Sequence, residues 1–413
     1  MLNAIITERA RREFARAMQF ENGGAPQLHP GDSQKLPLLY IHIPFCEKLC
    51  PYCSFHRVLF ERTLCRDYFS ALRKEITLYK KAGYRFSGIY VGGGTPTVMI
   101  EELEDTLALA GECFPIREIS VETNPDHLTD RNIAVLKKAG VNRLSVGIQS
   151  FDDRLLRDMD RYEKYGSGEV IARRLSPVLG NFDTLNADMI FNFPSQNMQN
   201  LERDIDVLMS LGVDQITYYP LMISDSTRQV LREKFGQIDY RKEEQFYHRI
   251  AERLLPAYRL SSAWCFSKKE AMIDEYIVDY DEYAGIGSGS IGYLNGTCYA
   301  NTFHIREYIS RIDHDEMPIA AVRTFLLRDQ MRYDFLMKLF GTKLDVRDFR
   351  TKYRGIFYRV LWPSILAFSL AGSLTYRAPC FHLTKQGRYT WVIMMREFFI
   401  AVNNFRDFFR AGQ

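Results

Sequence analysis

No stretch of this sequence is apolar for long enough to span a bilayer. The closest, VLWPSILAFSLAG at 360–372, falls short of the ~18 to 20 residues a crossing helix needs and carries Pro363. A marked charge imbalance is also missing. The 54 Lys and Arg face 51 Asp and Glu, a formal net of +3. On overall charge neither nucleic acid nor an acidic membrane is indicated as a partner, although a local basic pocket is compatible with that total. The N-terminus, MLNAIITERARREFARAMQF, lacks the uninterrupted apolar core of a secretion signal and reads as an amphipathic helix. A cytoplasmic protein without a membrane span is expected. The eight cysteines are therefore not a disulfide framework. Five of them, Cys65, Cys113, Cys265, Cys298 and Cys380, are scattered and read as small buried hydrophobes. Internal repeats and low-complexity tracts are absent too.

What is present has a rhythm. The 413 residues, 46% hydrophobic and 25% charged, suffice for one large domain and a smaller one. Residues 21–37, rich in Gly, Pro and polar side chains, read as a linker, so residues 1–35 are expected to be a helical extension and linker. Short β-branched runs then alternate with helix-period segments. The strand-like runs are LLYIHI at 38–43, GIYV at 88–91, EISVE at 118–122, RLSVGI at 143–148, TLNADMIF at 184–191 and QITYYPL at 215–221. Helical patterns fall near 66–82, 97–113, 128–139, 167–178 and 197–211. Six strand–helix units in series predict an α/β fold of parallel strands with right-handed crossovers. Nearly every strand is followed by polar or glycine residues: a cysteine loop, Gly92-Gly93-Gly94, Glu122, Gln149 and Asp188. In parallel barrels such strand ends line the active site, so these residues should converge on one mouth. A further amphipathic helix is predicted over 241–258, and GIGSGSIGYLNG at 285–296 reads as a tight backbone path or a plain loop. From about residue 315 the pattern turns helical and aromatic, ending in LTKQGRYTWVIMMREFFIAVNNF at 383–405.

The cysteine loop is HIPFCEKLCPYCSFH at 42–56, with Cys46, Cys50 and Cys53 in C-x3-C-x2-C spacing. A structural zinc ion wants four protein ligands; His42 or His56 could supply the fourth, since no second C-x2-C pair exists. Alternatively, three thiolates hold three corners of a [4Fe-4S] cluster and leave one iron open. Ile43, Pro44, Phe45 and Tyr52 would shield such a cluster.

The segment YIHIPFCEKLCPYCSF at 40–55 resembles the signature of radical S-adenosylmethionine (SAM) enzymes. In that superfamily SAM chelates the open iron, and an electron from the cluster cleaves it to a 5′-deoxyadenosyl radical. From about Leu38 to the C-terminus the chain is similar to oxygen-independent coproporphyrinogen III oxidase and its relatives. The resemblance implies a partial (β/α)6 TIM-like barrel over residues 36–310 and a helical, winged-helix-like cap over 311–413. It implies the cluster on Cys46, Cys50 and Cys53, and SAM bound by Tyr40, Tyr52, Gly93, Gly94, Thr95, Glu122, Gln149, Arg161 and Asp188. Gly285, Gly287 and Ser290 match a glycine-rich segment on the substrate side, and Asn301 matches a family asparagine. A tetrapyrrole-type substrate and reduced flavodoxin or ferredoxin as electron donor are implied as well; nucleic acid is not, for no basic recognition stripe is visible.

One position departs from the oxidases. Their fourth cysteine, two residues after the third, is Phe55 here, as is common in the haem-chaperone branch and in related methyltransferases. Three functions follow: oxidative decarboxylation of tetrapyrrole propionates in haem biosynthesis, a methyltransferase or tetrapyrrole-modifying activity using two SAM molecules, and haem carriage that keeps cluster and SAM. Arg306 and Arg332 are candidates for binding carboxylates. His304, His314 and His382 are candidates for an axial haem ligand.

Overall fold

The computed structural model describes residues 2–22, 30, 35–269 and 276–411. Most of the 21–37 linker lies outside the described residues.

The parallel core consists of β1 (Leu38–Ile43), β2 (Gly88–Gly93), β3 (Glu118–Thr123), β4 (Arg143–Gln149), β5 (Thr184–Phe191) and β6 (Gln215–Pro220), hydrogen-bonded in chain order. Every pair in this series is parallel. The strands read as apolar runs because helices cover their outer face. The helix Arg62–Lys81 shows why: Cys65, Tyr68, Phe69, Leu72, Ile76 and Tyr79 recur at helical spacing, and all are buried. Its start is set by Glu61, whose carboxylate accepts from the Thr63 and Leu64 backbone N–H groups. Burying each large side chain of such a face stabilises the fold by about 1.5–3 kcal/mol.

The glycine–serine run is not a plain loop. It forms part of β7 (Tyr283–Ile286), which pairs parallel with β1, and all of β8 (Ile291–Leu294), which turns back antiparallel. Two further antiparallel strands, β9 (Thr297–Asn301) and β10 (Ile319–Thr324), extend the same sheet past residue 310. Its first two strands escape a period-2 reading because each is four residues long and carries a glycine.

Residues 327–411 have the helix–strand–helix–helix–strand–strand order of a winged helix, with a three-stranded sheet of Lys343–Asp345, Cys380–Leu383 and Leu374–Arg377. It docks on the edge of the main sheet, where Phe340 meets Trp264 with ring centroids 4.7 Å apart. The last helix, Lys385–Ala411, runs on to the barrel mouth. There Asn403 donates to the Met222 carbonyl (3.0 Å) and Arg410 to the Phe55 carbonyl (3.4 Å). Midway, the buried Arg396 pairs with Glu243 and Glu397, and Arg11 of the N-terminal helix Leu2–Ala17 reaches Glu397 at 2.9 Å. Removing one partner from such a buried group costs about 3–5 kcal/mol, because the other charges are left uncompensated. The N-terminal extension is thereby tied to the cap.

Candidate functional site

Pro44 follows β1, and the chain leaves the sheet there. Phe45–Cys46 pairs instead with Val58–Leu59, and the loop is closed by Val58 N–H on the Pro44 carbonyl (2.7 Å) and Phe60 N–H on that of Cys46 (2.9 Å). Cys46 is buried, Cys50 and Cys53 are half-buried, and none is in a disulfide. Arg57 clamps the loop from inside: one Nη2 donates to the carbonyls of Cys50 (2.6 Å) and Cys53 (2.5 Å). Burial works against its charge, yet Cys53 and the other two cysteines hold its pKa above the ordinary value. Burial, reinforced by Cys53, pushes the Cys46 thiol up to about 11.

The residues present fit a cluster better than a zinc ion. Tetrahedral zinc with bonds of ~2.3 Å gathers its sulfurs to within about 3.8 Å of one another. Among the described residues, Glu47, Asp126 and His127 bring ligand atoms within 4.8 Å of one another, whereas the three cysteine sulfurs do not. His42 is committed on both ring nitrogens, to the Tyr40 hydroxyl (2.8 Å) and the His56 carbonyl (2.9 Å). Burial lowers its pKa to about 4, which keeps it neutral. His56 faces the Ser288 hydroxyl at 3.3 Å.

An arc of polar contacts joins two of the cysteines across the strand ends. Thr95 Oγ1 lies 3.7 Å from Cys46 Sγ and accepts from Asn124 Nδ2 at 2.9 Å. Asn124 Oδ1 in turn accepts from Arg161 Nη2 (3.4 Å), while Arg161 Nη1 lies 3.8 Å from Cys50 Sγ and 3.5 Å from the Tyr52 hydroxyl. Arg161 also donates to the Gly147 carbonyl. The Gln149 amide packs against Gly147, and Gln149 itself has φ +76° next to an irregularity in β4. That left-handed backbone costs about 1–2 kcal/mol. Gly94 is required by proximity: a Cβ there would stand 2.6 Å from the Phe45 carbonyl oxygen and 3.0 Å from Cys46 Sγ. Gly93, at φ +117°, would strike the His42 ring at 2.7 Å.

Below the arc lies a polar basin. Glu122 accepts from the Tyr90 hydroxyl (2.9 Å) and the Gly93 N–H (3.2 Å). Asp188 accepts from Ser145 (2.6 Å) and Asn186 (2.8 Å). Burial, with Asp188 adding to it, raises the Glu122 carboxyl to about 7. The buried Arg143 offsets these acids while hydrogen-bonding Gln215 (2.8 Å) and Ser120 (3.1 Å).

Cys46, Tyr52, Gly93, Gly94, Thr95, Glu122, Gln149, Arg161 and Asp188 are thus brought to one mouth, with Tyr40 reaching it through His42. Sequence reasoning passed over Arg57, Asn124, Arg143 and Asn186; Asn124 alone carried a signal, in the polar run that ends β3. Other candidates stay apart from the arc. Arg306, His304 and His314 are exposed, Arg332 pairs with Asp329 at 3.6 Å, and His382 sits in the small sheet of the winged helix.

Comparison with known proteins gives this geometry its context. Residues 40–208 match the family model of the radical SAM superfamily. The heme chaperone HemW of Bacillus subtilis is 28% identical over 84% of this chain and 95% of its own length. The oxygen-independent coproporphyrinogen III oxidase of Paracoccus denitrificans is 32% identical over 44% of this chain and 42% of its own length. The solved coproporphyrinogen III oxidase HemN of Escherichia coli superposes with a TM-score of 0.72 over 94% of this chain and 93% of that one, at 20% identity, which speaks for the fold. Among the described residues no helix is long and apolar enough to cross a membrane. Radical SAM proteins use a [4Fe-4S] cluster and SAM, and the chain belongs to that superfamily, in the family that holds the heme chaperone HemW and the oxygen-independent coproporphyrinogen III oxidase HemN.

Proposed function

We propose that Cys46, Cys50 and Cys53 hold a [4Fe-4S] cluster whose remaining iron takes SAM, and that the protein carries haem. When bound, the cluster supplies the electron that splits the SAM sulfonium. The chain's own residues do the rest. Gly93, Gly94 and Thr95 admit the methionine end close to the loop, and Glu122, Gln149, Arg161 and Asp188 offer charged and amide partners to the ribose and carboxylate. Tyr52 and Tyr40 wall the site. Arg57 and Arg161 offset the negative charge of three thiolates, and the end of the last helix shields the mouth from water.

The observation that carries the haem reading is Phe55. It stands where the oxidases bear a fourth cysteine, and here it belongs to the cap contact, with the Arg406 guanidinium 5.1 Å from its ring and Arg410 on its carbonyl. The near-complete overlap with HemW supports the same reading. Oxidative decarboxylation is the second reading; the helical extension before β1 favours it. The test is anaerobic reconstitution with SAM, a flavodoxin or ferredoxin donor, and either haem or coproporphyrinogen III. Stoichiometric haem binding without carbon dioxide release is expected. A vinyl porphyrinogen with carbon dioxide would establish the oxidase, and S-adenosylhomocysteine would establish methyl transfer.

Arg57 gives a separate prediction. A positive charge beside the cysteine loop favours the more negative, reduced state of a cluster held there. Arg57→Gln should therefore lower the cluster midpoint potential in a potentiometric EPR titration, with iron content retained. An unchanged potential would show that Arg57 only braces the loop.

A further inference from the structure

The third helix of the winged helix, Ile356–Leu370, turns an apolar face to solvent. Ile356 (51% exposed), Trp362 (55%), Leu366 (44%) and Leu370 (80%) lie on that face, and Tyr376 (56%) stands on the neighbouring strand. Scattered exposed apolar residues need no explanation, but a continuous stripe marks an interaction surface. Along the chain its setting is basic, the nearest acid before it being the exposed Asp348. Between Phe349 and Arg396 the sequence has no Asp or Glu, while Arg350, Arg354, Arg359 and Arg377 are all exposed. The near-zero net charge of the whole chain conceals this concentration.

We propose that this face docks the protein on an anionic lipid bilayer. Trp and Leu over one side of a helix, rimmed by arginines and with no acid in between, are the makings of an interfacial helix. In that position the arginine stems extend along the apolar surface and place their guanidiniums at the level of lipid phosphates. A second copy of the chain fits less well. It would bring no carboxylate to this face, so Arg359 would be desolvated twice without an ionic partner. DNA fits less well too. The exposed side of this helix offers Ile, Trp, Pro and Leu where base edges call for amides and hydroxyls.

The test is vesicle flotation of the full-length holoprotein with equal parts phosphatidylglycerol and phosphatidylcholine, and with phosphatidylcholine alone. Binding to the anionic vesicles is expected, at least about tenfold weaker on the neutral ones and falling with added salt. Leu370→Glu should reduce anionic binding by at least about tenfold, and Arg359→Gln by about fivefold. Both positions are exposed, so circular dichroism and the cluster absorption should stay those of the parent. Absence of flotation, flotation indifferent to both variants, or a dimer that Leu370→Glu dissociates in the absence of lipid would each overturn the proposal.

Discussion

Replacing Cys50 by alanine is expected to leave the reconstituted protein colourless and to lower SAM cleavage by at least about a thousandfold, some 4 kcal/mol of activation free energy. Each thiolate of a three-cysteine site holds one iron, so removing one leaves a corner of the cluster without its ligand. Among the described residues, His42 has both ring nitrogens engaged and the Nε2 of His56 faces Ser288. The fold itself should survive. Cys50 is half-buried and its strong contact is a carbonyl that Arg57 would still find. Cys298→Ala is the matched control, because Cys298 is buried within β9. Iron analysis, visible absorption and 5′-deoxyadenosine yield check the pair. Full iron content in Cys50→Ala, or equal loss in Cys298→Ala, would contradict the ligand assignment.

Glu122→Gln should have the next largest effect, and it should act in opposite directions on stability and on SAM. The Glu122 carboxyl is raised from an ordinary 4.5 to about 7, by burial first and by Asp188 second. A raised acid binds its proton more tightly in the folded state. Its stabilising contribution is therefore complete below pH 4.5 and is lost as pH climbs through about 7, a swing of about 3 kcal/mol. Glutamine keeps a carbonyl for the Gly93 N–H and an amide for the Tyr90 hydroxyl while removing the charge. Relative to Glu122→Gln, the SAM-free parent should thus lose stability between about pH 5 and about pH 8, measurable as a shift in urea midpoint. SAM affinity should fall at least about tenfold in the variant, because a neutral amide is a weaker acceptor for a ribose diol than a carboxylate. Parallel stability curves for parent and variant across that range would remove the raised carboxyl from the account. Unchanged SAM affinity would remove Glu122 from the ribose site.

Both predictions rest on residues legible in the sequence, and the reasons are local. The parallel strands announced themselves as apolar runs because both faces of such a sheet are covered. The cysteine spacing lies within eight residues, so the loop could be recognised without knowing what surrounds it. Glu122 and Gln149 were legible because the period of the βα unit places each strand end on the same side, whereas Asp188 stands inside β5 and not at its end. Arg57 and Asn124 were not. Each acts through a contact whose partner is set by a turn or by a neighbouring strand, as when Asn124 bridges Thr95 and Arg161. The glycine–serine run, readable as a tight backbone path or a plain loop, hid its strands for a related reason: β7 is a strand only because β1 lies beside it.

The sequence alone determined the α/β alternation, the cysteine loop and the polar strand ends, since these depend on side-chain periodicity and on covalent spacing. Tertiary structure decided the rest. It joined Cys46 to Cys50 through Thr95, Asn124 and Arg161, raised the Glu122 carboxyl, tied Phe55 to the last helix and left one side of Ile356–Leu370 uncovered. Burial, pKa and the pairing of distant groups are properties of where chains meet, and no local stretch of sequence contains that information.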